Sequence, residues 1–201
     1  MWRTVPFPMA VPAPAGQLAE PRYIGLRMTA DQYLALDDDG FRYNLVNGIV
    51  IMSPRPSYGH QDVASYLTLV MRRHAAERKL GKVIAEVDIR FASDLVYAPD
   101  IVFYAASRVP PKGRPIDTPP DMIVEVLSPS NRPFDLTTKR EDYERFGVRE
   151  YWAIDPDTLA VHCWRLEAGK FVSAPVSGES VPSAVLTGFV LDLADLRRAT
   201  A

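Results

Sequence analysis

Met122-Ile123-Val124-Glu125-Val126-Leu127 is apolar on both of its alternating faces and is interrupted by a single carboxylate. A strand that is greasy on both sides belongs in the middle of a sheet with layers packed above and below it. The segment therefore predicts a central strand in an α/β architecture. Glu125 gives it a second meaning, because a carboxylate placed in such a segment loses its hydration and needs compensation. Three kinds of partner would serve: a metal ion, a lysine or arginine, or a cleft where the strand end meets water.

The residues on either side supply the surroundings of that strand. After the turn Ser128 to Pro133, the stretch Asp135 to Phe146 has a helical pattern closed by Gly147, and Tyr151 to Ile154 returns as a strand. Asp135, Lys139 and Tyr143 are spaced four residues apart, so they share one face of that helix. Upstream, Ile101 to Tyr104 reads as a strand entered through Ala98-Pro99-Asp100, followed by a proline-rich loop from Val109 to Pro120. Lys82 to Phe91 alternates, with Val83, Ala85, Val87, Ile89 and Phe91 on one side, and predicts one half-buried strand. From His60 to Lys79, apolar residues at Val63, Tyr66, Leu67, Val70 and Met71 mark one helix face, with Gly81 as the expected stop.

Closer to the start, Thr29 caps a short helix carrying Tyr33, Leu34 and Leu36, which ends in Asp37 to Gly40. Phe41 to Ile51 reads as two strands around Asn47-Gly48, a dipeptide that tolerates the positive φ of a tight hairpin. Val161 to Leu166, Phe171 to Ala174 and Val190-Leu191 read as later strands, with turns at Ala168-Gly169 and Ser177-Gly178. The whole is a mixed sheet flanked by helices. Residues 1–25 carry five prolines and no period, which predicts an extended or disordered arm, with one domain over 26–196 and a tail over 197–201.

Composition narrows the function classes. The 201 residues are 47% hydrophobic and 24% charged, with 23 Lys and Arg against 25 Asp and Glu. No global positive field draws the chain to polyanions, so any such site must be local. Arg72, Arg73, Arg78, Lys79 and Lys82 form a basic run late in the helix that begins at His60, and it reads either as a solvated face or as a contact for phosphates. Cys163 is the single cysteine, which excludes internal disulfides and cysteine-rich zinc motifs. His74 and His162 lack metal-ligand spacing, Ser128 lacks a nucleophile elbow, and there is no glycine-rich phosphate loop. The first residues imitate a secretory signal, but Pro6, Pro8, Pro12 and Pro14 would break its helix. No apolar run is long enough to span a bilayer, so a cytoplasmic protein with no membrane partner is expected.

Glu125 thus has two companions within reach, Asp100 and Lys139, and two readings stay open. One is a structural ion pair; the other is a carboxylate site for magnesium or manganese, the ions that hard oxygen ligands suit and that serve phosphodiester hydrolysis. From Thr29 to about Leu166 the chain resembles the Uma-two type of restriction endonucleases, a branch of the PD-(D/E)XK nuclease superfamily. The resemblance lies in Tyr43 to Gly48, His60, Pro99-Asp100, Glu125 to Ser130, Asp135, Lys139, Tyr143, Gly147 to Trp152 and Asp155-Pro156.

That resemblance implies a restriction-endonuclease-like core cutting DNA, with Asp100 and Glu125 as metal ligands and Lys139 orienting the attacking water or stabilising charge at phosphorus. Asp135, Tyr143, His60 and Asn44 would support the site. The superfamily's usual lysine lies two residues after the strand glutamate, where this chain has Leu127; Lys139 on the following helix takes its place. Family members usually carry Glu where this chain has Asn44, which removes one negative charge. A homodimer is one arrangement that would supply two sites for cutting both strands. The alternative reading is a catalytically silent binding or oligomerisation module on the same fold, and a third is an accessory protein acting through a partner.

Overall fold

The computed structural model describes residues 20–113, 115–176 and 178–201. Most of the proposed proline-rich arm, residues 1–19, lies outside the described residues, as does Ser177 of one expected turn. The fold is a mixed α+β structure. A six-stranded sheet has the order β10-β9-β8-β7-β6-β3, and β7 (Met122–Val126) is internal to it with all five residues buried. β7 pairs parallel with β8 (Glu150–Ile154) and antiparallel with β6 (Ile101–Ala105). β6 pairs in turn with β3 (Gly81–Ala85), while β9 (Val161–Glu167) and β10 (Lys170–Ser173) extend the other side.

Alternation along β7 divides the core. Val124 and Val126 face a layer with Val63, Leu67 and Met71 of α2 (Tyr58–Glu77). Ile123 and Leu127 face Tyr143, Tyr151 and Phe91. Glu125 shares this second side, since neighbouring side chains alternate between faces. Ser57 starts α2 by accepting a hydrogen bond from the His60 amide at 3.2 Å, which fixes the first turn where His60 sits.

A smaller sheet, β2-β1-β5-β4, packs beside the first. Its hairpin, β1 (Tyr43–Val46) and β2 (Ile49–Met52), turns through Asn47 and Gly48 at φ 51° and 72°, as the dipeptide predicts. The Thr29 cap also holds: its side chain and that of Gln32 close a capping box over α1 (Ala30–Leu34).

Four expectations need correction. Lys82 to Phe91 is not one strand: β3 ends at Ala85, Glu86 takes φ 51°, and β4 (Ile89–Ala92) resumes in the other sheet. Gly81 does not stop α2. Lys79 does so at φ 55°, and Gly81 opens β3, where a Cβ would run into the Tyr104 carbonyl oxygen. The helix expected from Asp135 begins earlier, with α3 (Arg132–Phe134) carrying Pro133 in its first turn, where a missing N–H costs nothing. A π turn over Asp135–Lys139 follows and then α4 (Arg140–Arg145). The sequence reading also missed β5 (Leu95–Tyr97), β11 (Ser180–Pro182) and the C-terminal α5 (Leu193–Ala199), while β12 (Val190–Asp192) fits the expected late strand.

Glu150 explains how the C-terminal segment is fastened to β8. This buried carboxylate accepts hydrogen bonds from the Ser183 hydroxyl at 2.6 Å, the Val185 amide at 3.0 Å and the Trp152 indole at 3.1 Å. Among the described residues, no helix is long and apolar enough to cross a membrane.

Candidate active site

Asp100 stands at the entrance to β6, directly across from the C-terminal end of β7. Its amide donates to Glu125 Oε2 at 3.4 Å, and its own Oδ2 accepts from the Val126 amide at 2.8 Å. The two carboxyls are therefore held side by side by the sheet itself. His60 reaches over from α2 to place Nε2 at 3.2 Å from Asp100 Oδ2, while its Nδ1 is buried without a partner.

The helical segment after β7 closes the other side. Lys139 Nζ donates to Glu125 Oε1 at 2.9 Å, and the Tyr143 hydroxyl donates to the same oxygen at 2.7 Å. Lys139 also lies 2.9 Å from Asp135 Oδ1, an ionic contact without hydrogen-bond alignment. Lys139 occupies the last position of the π turn, an irregularity that recurs at functional sites because it re-aims side chains. Arg132 pairs with Asp155, tying the start of this helix to the chain beyond β8. The Tyr151 hydroxyl donates to the Asp135 carbonyl at 3.1 Å.

Six of the seven residues singled out in the sequence converge here: His60, Asp100, Glu125, Asp135, Lys139 and Tyr143. Asn44 does not join them. Its amide nitrogen donates to Ser53 Oγ at 2.8 Å and its oxygen accepts from the Ala98 amide at 3.1 Å, so it braces the loop leading to Asp100. Sequence reasoning missed Tyr97, whose ring lies 5.8 Å from Lys139 Nζ and whose hydroxyl donates to Asp142 at 2.6 Å. Its strand is three residues long and carries no readable period. It also missed Arg42, Ser53 and Asn131, which line the cleft.

Charge is unbalanced in this cluster. Three carboxylates, Asp100, Glu125 and Asp135, face one lysine and one histidine. Burial pushes the Glu125 carboxyl up to about 7; Lys139 opposes the rise, while Asp100 and Asp135 add to it. Asp135 is raised chiefly by burial, with Lys139 again opposing. Burial would also raise Asp100, but the hydrogen bond and charge of His60 and the Val126 amide outweigh it, and the group falls below its ordinary value. His60 is raised: burial pulls it down, and the Asp100 contact and charge more than reverse that. Lys139 stays protonated, since its carboxylate neighbours overcome its burial.

The cleft above these groups is narrow, about 50 Å³, and includes Asp100, Glu125, Asp135 and Lys139 in its lining. Among the described residues, no three His, Cys, Asp or Glu side chains converge as a self-sufficient metal cluster. Two carboxylates nevertheless fit the habit of magnesium and manganese, which take one or two protein carboxylates and leave other positions to water and phosphate. Among the described residues, Glu125 Oε2 has only its long contact with the Asp100 amide. An excess of buried negative charge is the condition that a divalent cation relieves.

Comparisons with known proteins bear on the family and the fold. A family model, Uma2, described as "Putative restriction endonuclease", matches residues 30–194. No curated protein matches the chain. Among solved structures, a protein of Anabaena variabilis ATCC 29413, described as a "putative nuclease belonging to DUF820", superposes with a TM-score of 0.74 at 23% identity, over 87% of this chain and 99% of that one. At that identity the likeness establishes the fold.

Proposed function

Because this chain belongs to the Uma2 family, we propose that it is an endonuclease hydrolysing DNA phosphodiester bonds with magnesium or manganese. The observation that carries this reading is the meeting of Asp100 and Glu125 from adjacent strands, with the buried ammonium of Lys139 2.9 Å from Glu125. Asp100 and Glu125 would hold the cation, which when bound draws charge from a phosphate and makes a nearby water more acidic.

The chain's own residues do the rest. Lys139 and Tyr143 both occupy Glu125 Oε1 and so direct Oε2 toward Asp100. His60 and the Val126 amide hold Asp100 Oδ2 and fix the carboxyl plane. Asp135 anchors Lys139 so that its positive charge stays at the cleft, where negative charge builds on phosphorus as water attacks. The packed aromatic ring of Tyr97 and the buried Tyr143 limit water behind the lysine, which strengthens each of these interactions.

Incubation of supercoiled plasmid DNA with the purified chain tests the proposal. Nicking or linearisation in magnesium or manganese, absent in EDTA and absent in Glu125→Gln, supports it. Equal cleavage by Glu125→Gln refutes it.

A further inference from the structure

A groove of about 720 Å³ leads away from the cleft along the exposed side of α2. Asp100 lines both, so the groove and the cleft meet at that residue. Ser65, Thr68 and Leu69 run along its helical wall, and Arg72 and Arg73 stand farther along the helix. The opposite wall includes Glu86, whose carboxylate is taken up by Arg42 at 3.1 Å. The two arginines thus stand at the end of the groove away from Asp100, with this Glu86–Arg42 pair between them and the cleft.

Arg72 donates from Nε to the Val83 carbonyl at 3.2 Å, which braces the side chain and leaves its terminal nitrogens to other partners. Arg73 is exposed on the same helix. Twelve residues separate His60, which touches Asp100, from Arg72, a run of about 18 Å at the rise of an α-helix. That spacing reaches several nucleotides along a strand from the site of cleavage.

We infer that this groove is the track along which a DNA strand enters the cleft, with Arg72 and Arg73 holding phosphates several nucleotides from the scissile one. The inference rests on the nuclease reading of Asp100 and Glu125 and adds where the substrate lies. The adjacent exposed guanidiniums of Arg72 and Arg73, on a groove that meets the cleft at Asp100, point to a polyanion as the occupant. Leu69, 63% exposed, offers an apolar contact to a deoxyribose between the two ends. A second copy of the chain is the competing occupant.

Fluorescence anisotropy of a labelled duplex of about 30 base pairs, titrated with the full chain in EDTA, tests it. Arg72→Gln/Arg73→Gln should bind about tenfold more weakly, with a log–log salt dependence shallower by about two. Ser65→Glu, which puts a negative charge on the track, should weaken binding while leaving both arginines in place. Arg73→Glu keeps the test decisive even where loss of the Val83 contact loosens α2. Unchanged affinity and salt slope in all three variants overturns the track while leaving metal-dependent plasmid cleavage standing as support for the nuclease reading. A dimer disrupted by Leu69→Asp with DNA affinity unaltered overturns it too. A wild-type chain that neither binds nor cuts DNA overturns both readings.

Discussion

The carboxyls of Asp100 and Glu125, 25 residues apart, are each held by a backbone amide from the other's stretch of chain. The Asp100 amide reaches Glu125 Oε2, and the Val126 amide reaches Asp100 Oδ2. Backbone geometry, rather than flexible side chains, thus sets the separation of the two carboxyls. The cation proposed for this pair would find it already ordered, with little left to fix on binding.

Charge removal at Glu125 and at Lys139 should have different structural consequences. Glu125 is already poised toward its neutral form, so Glu125→Gln should leave the denaturation midpoint within about 1 kcal/mol of wild type while abolishing cleavage. Lys139→Met removes the buried ammonium that both Glu125 and Asp135 contact and should lower stability by roughly 3 to 5 kcal/mol. Urea denaturation of both variants beside the plasmid assay checks this, and equal destabilisation by the two would show that Glu125 is fully ionised in the metal-free protein.

Stability in EDTA should fall as pH rises through neutrality. A carboxyl raised from 4.5 to about 7 takes up a proton on folding, so Glu125 destabilises the native state progressively between those values. His60, also raised, contributes stability that is complete below its ordinary 6.5 and lost as pH climbs through its folded value. Asp100, which is lowered, works at the acid end: its contribution is present above 3.8 and lost as pH falls through the folded value. Urea midpoints should therefore drop from about pH 5.5 to about pH 8, and Glu125→Gln should flatten that drop. A midpoint that rises over the same interval contradicts these directions.

Asn44 should act through the loop before Asp100. Asn44→Ala leaves the Ala98 amide and the Ser53 hydroxyl without their partner and should cost about 1 to 3 kcal/mol. Asn44→Asp should be tolerated, since the serine hydroxyl can rotate to donate and the carboxylate can accept from Ala98. Cleavage retained by Asn44→Asp and reduced by Asn44→Ala, each compared with its denaturation midpoint, identifies a bracing role. Full activity and stability in Asn44→Ala would remove that role.

The parts of this fold that were legible in the sequence are those governed by one strong local pattern. Met122 to Leu127, the α2 periodicity and Asn47-Gly48 each carried their own signal. The break at Glu86 did not, because Val87 and Ile89 keep the alternation in phase while a single backbone angle sends the chain to another sheet. β5 is too short for a period, and α5 had only Leu193 and Leu196 as buried marks beside its Asp192 cap. At the site, the Asp135, Lys139 and Tyr143 stripe followed from helical spacing even though a π turn distorts it. The contact of His60 with Asp100 was not readable as geometry, since it arises from packing α2 across the sheet.

The central claim is that Asp100 and Glu125 together hold one divalent cation. Isothermal titration of manganese into the full chain measures this directly, in two buffers of different ionisation enthalpy near pH 6.5. Saturable binding at one site per chain is expected, with release of a proton from Glu125 as the ion enters, and loss of binding in both Asp100→Asn and Glu125→Gln. Absence of manganese binding to the wild-type chain, or undiminished binding in both variants, would contradict it.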